Sequence, residues 1–329
     1  MTTLTDRSPG EVEERLARFC ADTYADPLAF VLGAYRWPIK GESGPDVWQA
    51  DVLRWIGAQV RARRFDGSTP VEPIRLALST GHGIGKGALW AWLVDWIMST
   101  RPHAHGTVTA ATADQLEKKT WAQIREWTAL CVTAHWFEIN SAIMFRKGYR
   151  ASWFCAPQSC APENSEAFQG QHARNSTSFY IFDEPPGIDA RIWQAAEGGL
   201  TDGSPMMFVG GNPNRNTGEF HRICFGTGRD RWQPRIIDAR TTKLANKALI
   251  AEWIADYGGE DSDFVRVRVR GLPPRASELS YIDQERIEGA QLGLVLGCQV
   301  KVAWGSTPKL GRPSTLLRVT VPYTVQEPA

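Results

Sequence analysis

The stretch that decides the fold is Ser79-Thr80-Gly81-His82-Gly83-Ile84-Gly85-Lys86-Gly87. The apolar residues 74–78 before it predict a buried strand, and the tryptophan-rich residues 88–98 after it predict a buried helix. A strand, a glycine-rich turn, a lysine and a helix in this order are the context of a phosphate-binding loop. The glycines allow successive N–H groups to point at one anion, and the helix start adds unpaired N–H groups and a positive dipole end.

Two positions of this stretch depart from the usual phosphate-loop pattern, G-x-x-x-x-G-K-[ST]. Thr80 stands at the first glycine, and Gly87 stands where a Ser or Thr hydroxyl would contact Mg²⁺. Lys86 keeps its place and can reach the outer phosphates. Taken alone, the stretch is also compatible with a glycine-rich turn that carries a solvated lysine.

Length and composition predict a soluble globular protein. The chain has 329 residues, 43% of them hydrophobic and 22% charged, which is enough for a large core in one domain or two. A net charge of +1 excludes a chain-wide basic field for nucleic acid. The six cysteines lack metal-ligand spacing and predict free, buried thiols. The longest apolar run is too short to cross a bilayer.

Strands and helices are predicted to alternate along the middle of the chain. Strands are predicted at residues 106–111, 179–182, 205–210 and 231–237, a hairpin or irregular strands at 136–157, and helices at 11–25, 47–63, 113–130, 188–200 and 244–257. Residues 263–270, in which Val and Arg alternate, predict either an edge strand or a helix with outward arginines. Such alternation predicts a mostly parallel sheet flanked by helices, with ligands at the carboxyl ends of its strands.

Two carboxylates, Asp183 and Glu184, follow the apolar residues 179–182. A buried strand would deliver Asp183 to its carboxyl end, where it can hold Mg²⁺ directly or through water. Glu184 can then orient or deprotonate a water that attacks a γ-phosphate. The alternative for Asp-Glu-Pro-Pro is a solvated turn after a strand. The order of the signals, Gly-Lys first and Asp-Glu later, favours a nucleotide site.

Two amide side chains are further candidates for this site. Gln49 lies near the start of a predicted helix capped by Asp46, and its donor and acceptor suit an adenine edge. Asn212 follows the strand after the Asp-Glu strand and can sense the γ-phosphate. The alternatives are a surface glutamine and a turn-forming asparagine before proline.

Several stretches follow one another in order along the chain: residues 79–88, 109–112, 120–121, 165–170, 182–184, 197–198, 201–203, 211–218 and 261–271. Together they resemble the large subunit of tailed-bacteriophage terminases, the motor that packages DNA into a prohead. The set as a whole is far more specific than any one motif.

The resemblance implies a P-loop NTPase fold of the ASCE type, with an N-terminal helical extension, and with ATP and Mg²⁺ as cofactors. It implies Lys86 on the phosphates, Asp183 on Mg²⁺, Glu184 as the catalytic carboxylate and Asn212 in the segment that couples hydrolysis to movement. The implied nucleotide-binding residues are Gln49, Thr80, Gly81, His82, Gly83, Ile84, Gly85, Lys86 and Gly87.

The implied partners are double-stranded DNA, a terminase small subunit and the portal of a procapsid. The resemblance also implies a homo-oligomeric ring when active, no membrane association, and a host-cell cytoplasmic protein that docks transiently on the procapsid.

Some relatives carry an arginine finger in the loop, where this chain has His82. Such a finger is worth roughly 10³ to 10⁵ in rate, and here it must come from elsewhere or from a neighbouring subunit. Candidates are Arg174, Arg215 and Arg222.

The DNA contact is weakly specified. Five basic residues could face a phosphate backbone: Lys118, Lys119, Arg266, Arg268 and Arg270. The alternative for these residues is a solvated charged face.

The family continues into a nuclease domain that cuts DNA with clustered Asp residues on two metals. Residues 291–329 contain a single acid, Glu327, so we expect no nuclease activity from this chain.

The predicted organisation has four parts: an N-terminal helical, adenine-side segment at 1–70, an ATPase domain at 71–271, a linker at 272–290 and an irregular tail at 291–329 in place of the nuclease. Two other functions fit the same residues. One is a decayed prophage fragment that binds nucleotide without packaging, and the other is a different P-loop DNA motor, such as a helicase-like ATPase.

Overall fold

The computed structural model describes residues 8–275, 301–306 and 315–320. The chain divides into two compact units, Met1–Pro274 and Arg275–Ala329. The predicted N-terminal helical segment therefore lies in the same unit as the predicted ATPase domain. Residues 276–290 of the predicted linker and most of the predicted tail lie outside the described residues.

An eight-stranded sheet forms the centre of the first unit, in the order β3-β4-β5-β2-β6-β7-β1-β8. Strands β5, β2, β6, β7, β1 and β8 pair in parallel, whereas β3, β4 and β5 pair antiparallel at one edge. The strands are β1 Ile74–Thr80, β2 His105–Ala110, β3 Phe137–Ile139, β4 Met144–Arg146, β5 Phe154–Pro157, β6 Ser178–Asp183, β7 Met206–Gly211 and β8 Gln233–Ile237.

Helices flank this sheet. The α-helices are α1 Pro9–Asp22, α2 Pro27–Ala34, α3 Val47–Arg63, α4 Lys86–Thr100, α5 Ala113–Gln115, α6 Ala122–Leu130, α7 Ala190–Gly198, α8 Glu219–Cys224, α9 Lys247–Asp256 and α10 Asp263–Val265. Two π-helical segments, Leu116–Trp121 and Arg266–Arg270, continue α5 and α10. Among the described residues, no helix combines the length and apolar character of a membrane span.

The central strands bury both of their faces. In β6, Phe179 and Ile181 belong to one apolar cluster, while Tyr180 and Phe182 belong to another. Because successive strand residues point to opposite faces, the two clusters cover opposite sides of the sheet. Helices α1 to α4 and α6 pack in the first cluster, and α7 and α8 pack in the second. The predicted α/β fold with a mostly parallel sheet is confirmed.

The structure decides or refines some local predictions. Of the two alternatives for residues 263–270, the helix is the one observed. The predicted helix 113–130 contains a π-helical segment, which shifts the faces of its side chains. Val47, the first residue of α3 after the cap Asp46, is apolar yet 66% exposed.

The second unit contains two described strands. Strands β9 Lys301–Ser306 and β10 Thr315–Thr320 pair antiparallel. This part of the predicted irregular tail is therefore a two-stranded sheet.

Candidate functional site

The loop between β1 and α4 leaves a helix start without a side-chain cap. Gly85 is the N-cap residue of α4, and its φ of 87° lies in the left-handed region that favours glycine. It has no side chain to bond the first N–H groups of the helix. The first turn of α4 therefore offers unpaired backbone donors at the positive end of a 15-residue helix.

The beginning of this loop is fixed by two other elements. The Gly81 N–H donates to the Ile237 carbonyl at the end of β8, and the His82 N–H donates to the Arg268 carbonyl at 2.7 Å. A Cβ atom on Gly81 would lie 2.3 Å from the carbonyl oxygen of Val269, so only glycine fits against the π-helical segment 266–270.

Gln49 is hydrogen-bonded to the backbone of the loop. It is 2% exposed, and its amide Oε1 accepts from the backbone N–H of Asp46, whereas its Nε2 donates to the Gly85 carbonyl at 3.0 Å. Both groups that would read adenine are bonded to protein. The structure thus brings Gln49 to the loop without exposing its amide, and the adenine contact stays a prediction.

Lys86 and Glu184 meet at the carboxyl edge of the sheet. The Lys86 Nζ lies 2.5 Å from Glu184 Oε1, with the two side chains 13% and 27% exposed. Burial acts to lower the pKa of Lys86, but the charges of Glu184 and Asp183 outweigh it and raise that pKa. Lys86 is therefore held as a cation. Glu184 has a φ of 51°, an uncommon backbone conformation for a residue with a side chain.

Asp183 is fixed by two donors. Trp90 Nε1 donates to one carboxylate oxygen at 3.1 Å, and the Thr120 hydroxyl donates to the other at 2.7 Å. Burial raises the pKa of Asp183, and the nearby Lys86 cation opposes that increase. This carboxylate can gain a further positive partner at the end of β6.

Asn212 connects the ends of three strands. Its backbone N–H donates to Glu184 Oε2 at 3.0 Å, and its side-chain Nδ2 donates to the Thr80 carbonyl at 2.5 Å. Thr80 ends β1, Asp183 ends β6 and Asn212 follows β7, and these strands are adjacent and parallel. The three strand ends therefore meet at one edge, as the sequence predicted.

A cleft of about 860 Å³ opens over this edge. Of the predicted site residues, Thr80 and Gln49 are buried and do not line the cleft, and all the others line it. The lining includes Gly81, His82, Gly83, Ile84, Gly85, Lys86, Gly87, Lys118, Lys119, Gln123, Asp183, Glu184, Asn212, Arg215 and Arg268.

The basic residues predicted to contact phosphate differ in whether they line the cleft. Arg215 lines it, whereas Arg222 forms an ion pair with Glu219 and Arg174 is exposed away from the lining. Arg268 was predicted as a DNA contact, yet its Nη1 lies 2.9 Å from His82 Nε2 inside the cleft. Burial and the Arg268 charge lower the pKa of His82, so the imidazole accepts from the guanidinium.

Sequence reasoning missed the roles of Trp90, Thr120 and Gln123. The first two orient Asp183, and the third lies against the loop. Thr120 belonged to a stretch that carried the family resemblance, and this was the one signal available for it. Among the described residues, no group of three or more His, Cys, Asp or Glu side chains could hold a metal by itself.

The fold and this edge define an α/β protein whose ligand cleft lies at the carboxyl ends of parallel strands. The chain is similar to a protein named probable terminase, large subunit, from Enterobacteria phage P7, with 23% identity over 269 residues. The match covers 78% of this chain and 51% of the relative, so the chain spans about half the length of the curated relative that it matches. No family model matches the chain.

The fold is similar to that of the large terminase from the thermophilic bacteriophage D6E, with a TM-score of 0.52 at 14% identity, over 73% of this chain and 57% of that one. Another crystal form of that terminase, in complex with ADP, has a TM-score of 0.45 at 13% identity, over 61% and 48% of the two chains. The resemblance to terminase large subunits is confirmed.

Proposed function

We propose that this chain is the ATP-hydrolysing part of a motor that moves double-stranded viral DNA into a procapsid. The observation that carries the proposal is the 2.5 Å contact between Lys86 and Glu184 at the edge where three parallel strands end. A phosphate-binding cation and a catalytic carboxylate must converge on one triphosphate, and here they converge beside an uncapped helix start.

Nucleotide binding would rearrange this ion pair. The phosphates compete with Glu184 for the Lys86 ammonium and also take the N–H donors of the α4 start. Glu184 is then released from Lys86 and becomes available to accept the proton of an attacking water. Its second oxygen remains held by the Asn212 N–H, which keeps the carboxylate oriented.

The residues present fit a magnesium ion. Mg²⁺ is usually held by one or two carboxylates together with substrate phosphates and water, and not by a cage of protein ligands. Asp183 suits this role. Trp90 and Thr120 each donate to one of its oxygens, and each oxygen has a second lone pair that could bind the ion. When bound, the ion would neutralise charge on the β- and γ-phosphates.

The contacts suggest roles for other residues. Asn212 bonds Glu184 through its backbone N–H and the Thr80 carbonyl, at the end of β1, through its side chain. We therefore propose that Asn212 couples a change at Glu184 to β1. Gln49 fixes the Gly85 carbonyl, so we propose that it positions the loop, and that adenine contact requires its amide to exchange partners. Arg268 and Arg215 also line the cleft, so we propose that they can meet a phosphate chain from the same subunit.

DNA translocation, the small subunit, the portal and a ring of subunits are proposals that rest on the relatives. The name of the phage P7 protein and the fold of the phage D6E terminase support a packaging motor over a helicase-like ATPase. We also propose that this chain does not cut DNA, because residues 291–329 contain one acidic residue. Plasmid cleavage in Mn²⁺ by the purified chain would contradict that part.

The test is steady-state ATP turnover by the purified chain, with and without procapsids and double-stranded DNA. We expect stimulation by both, a loss of about 10² to 10⁴ in Glu184→Gln with nucleotide binding retained, and loss of nucleotide binding in Lys86→Ala. Exposed Lys147 provides the matched control, and Lys147→Ala is expected to behave as wild type. Nucleotide binding without turnover would support the decayed-fragment alternative, and equal turnover without procapsids would support another DNA motor.

A further inference from the structure

The side-chain position of Gly87 in the loop is filled by a residue from another helix. A Cβ atom built on Gly87 would lie 1.5 Å from Oε1 of Gln123 and 2.7 Å from its Cδ. The φ of Gly87 lies outside the left-handed region, so the backbone conformation does not require glycine there. A side chain at position 87 would therefore have to displace the Gln123 amide, which is the end of a flexible side chain.

That space has a chemical meaning in a phosphate-binding loop. In the pattern G-x-x-x-x-G-K-[ST], the residue after the lysine presents a hydroxyl oxygen to Mg²⁺. Gly87 has no such oxygen, but the amide oxygen of Gln123 occupies the place of its side chain. Amide oxygens are neutral acceptors and are ordinary ligands for hard divalent cations.

The neighbours of Gln123 point to the same site. Thr120 lies three residues before it, where the π-helical segment meets α6, and both residues line the cleft. Thr120 donates to Asp183 at 2.7 Å, and Gln123, Lys86 and Asp183 line the same cleft. One helix thus supplies the hydroxyl that orients the carboxylate and an amide oxygen beside the loop.

We propose that Gln123 replaces the missing loop hydroxyl and, together with Asp183, holds the divalent cation of a bound nucleoside triphosphate. This assignment rests on the proposed ATPase function. It accounts for a glycine at position 87, because the Gln123 amide oxygen stands where the missing hydroxyl would be. It also makes residues 87 and 123 a pair whose members substitute for each other.

The experiment measures the affinity of the purified chain for a fluorescent ATP, methylanthraniloyl-ATP, in Mg²⁺ and in EDTA. Gln123→Met keeps the length of the side chain and removes the oxygen. We expect it to lose roughly tenfold or more of the affinity gained from Mg²⁺, with unchanged affinity in EDTA. Gln123→Glu keeps a carbonyl-type oxygen and is expected to retain the gain.

The exchange of the two positions gives a second readout. Gly87→Ser alone is expected to keep the Mg²⁺ gain, because its hydroxyl takes the place of the Gln123 amide that it displaces. The double variant Gly87→Ser with Gln123→Ala is expected to keep the gain as well, in contrast to Gln123→Met alone, because the loop then carries its own hydroxyl. Gln115→Met, in the same cleft, is the control and is expected to behave as wild type.

The outcomes separate the two proposals. If wild type gains affinity from Mg²⁺ and Gln123→Met gains as much, Gln123 is a packing residue and the assignment is overturned while the nucleotide site stands. If wild type binds no methylanthraniloyl-ATP in either buffer, the proposed function itself fails. Thermal melts of each variant identify any that are unfolded, and for such variants the comparison of Gln123→Glu with wild type decides.

Discussion

The polar side chains of the cleft form ion pairs and hydrogen bonds with one another. Lys86 is paired with Glu184, Asp183 with Trp90 and Thr120, and His82 with Arg268. Because Lys86, Glu184 and Asp183 are partly buried, an unpaired charge on any of them would be costly. Under the proposed function a nucleotide would exchange partners with these side chains, so substitutions should separate binding from turnover.

Replacing Arg268 tests whether this guanidinium acts on the phosphates. We expect Arg268→Ala to lower ATP turnover by roughly 10² or more, because a preorganised cation is lost from the cleft. The pKa of His82, measured by NMR, should rise in this variant, because the Arg268 charge now lowers it. Arg270 pairs with Asp261, and Arg270→Ala is the control. Unchanged turnover together with a raised His82 pKa would restrict Arg268 to a structural role.

Asn212 should affect stability and turnover more than affinity. Asn212→Ala removes the donor to the buried Thr80 carbonyl and is expected to cost about 1–3 kcal/mol in the free energy of unfolding. Its backbone N–H still bonds Glu184, so nucleotide affinity should change little while ATP turnover falls. Asn214→Ala, an exposed position in the same cleft, should leave turnover unchanged. A loss of affinity as large as the loss of turnover would argue against a coupling role.

At the level of elements, α4 carries both the loop lysine at its start and a buried carboxylate in its middle. Asp95 accepts from Tyr35 at 2.6 Å and from Thr128 at 2.7 Å, which joins α4 to α6 and to the end of α2. Burial raises the pKa of Asp95 to about 7, although both hydrogen bonds act to lower it. The proton on this carboxylate is therefore part of the folded core near neutral pH.

A raised pKa in the folded state fixes the sign of the pH dependence. The stability that Asp95 contributes is fully present below its unfolded pKa near 4 and is lost as pH rises through about 7. Asp95→Asn cannot ionise, so its stability relative to wild type should increase by on the order of 4 kcal/mol between pH 4 and pH 8. Denaturant unfolding at both pH values measures this. A difference that does not change with pH would mean that Asp95 ionises normally in the core.

The sequence predicted the elements that carry the site, and the reasons are physical. β1, the loop and α4 were visible because an apolar run, glycines and a second apolar run follow one another, and β6 because four apolar residues precede two carboxylates. Parallel order then required the strand ends to meet. These signals are local, or follow from the general rules for parallel sheets.

The remaining parts of the site could not be predicted from periodicity. The π-helical segment 116–121 changes the spacing by which a helix presents side chains, so Thr120 and Gln123 fall outside a 3.6-residue pattern. The alternating Val and Arg residues of 263–270 fit a strand and a helix equally well. The position of Arg268 in the cleft could therefore not be predicted. The amide of Gln49 meets Gly85 across 36 residues, and no local pattern encodes such a contact.

On the scale of the whole molecule, the sheet is covered on both faces and the described cysteines lie inside. Cys20, Cys131, Cys155, Cys160 and Cys224 are free and buried, and burial raises the pKa of each thiol, to about 12 for Cys20. Thiol reagents attack the thiolate, which these residues do not form at neutral pH.

We therefore expect these five thiols to resist iodoacetamide at pH 7.5 in the folded chain and to react after unfolding in urea. Mass spectrometry of the peptides locates the label and separates these positions from Cys298, which lies outside the described residues. Stoichiometric labelling of any of the five in the folded chain would show that the core opens on the time scale of the reaction.

The ion pair between residues 86 and 184 has a consequence for timing under the proposed function. The same ammonium would hold either the carboxylate or the incoming triphosphate, so loading the site and freeing the base would be a single event.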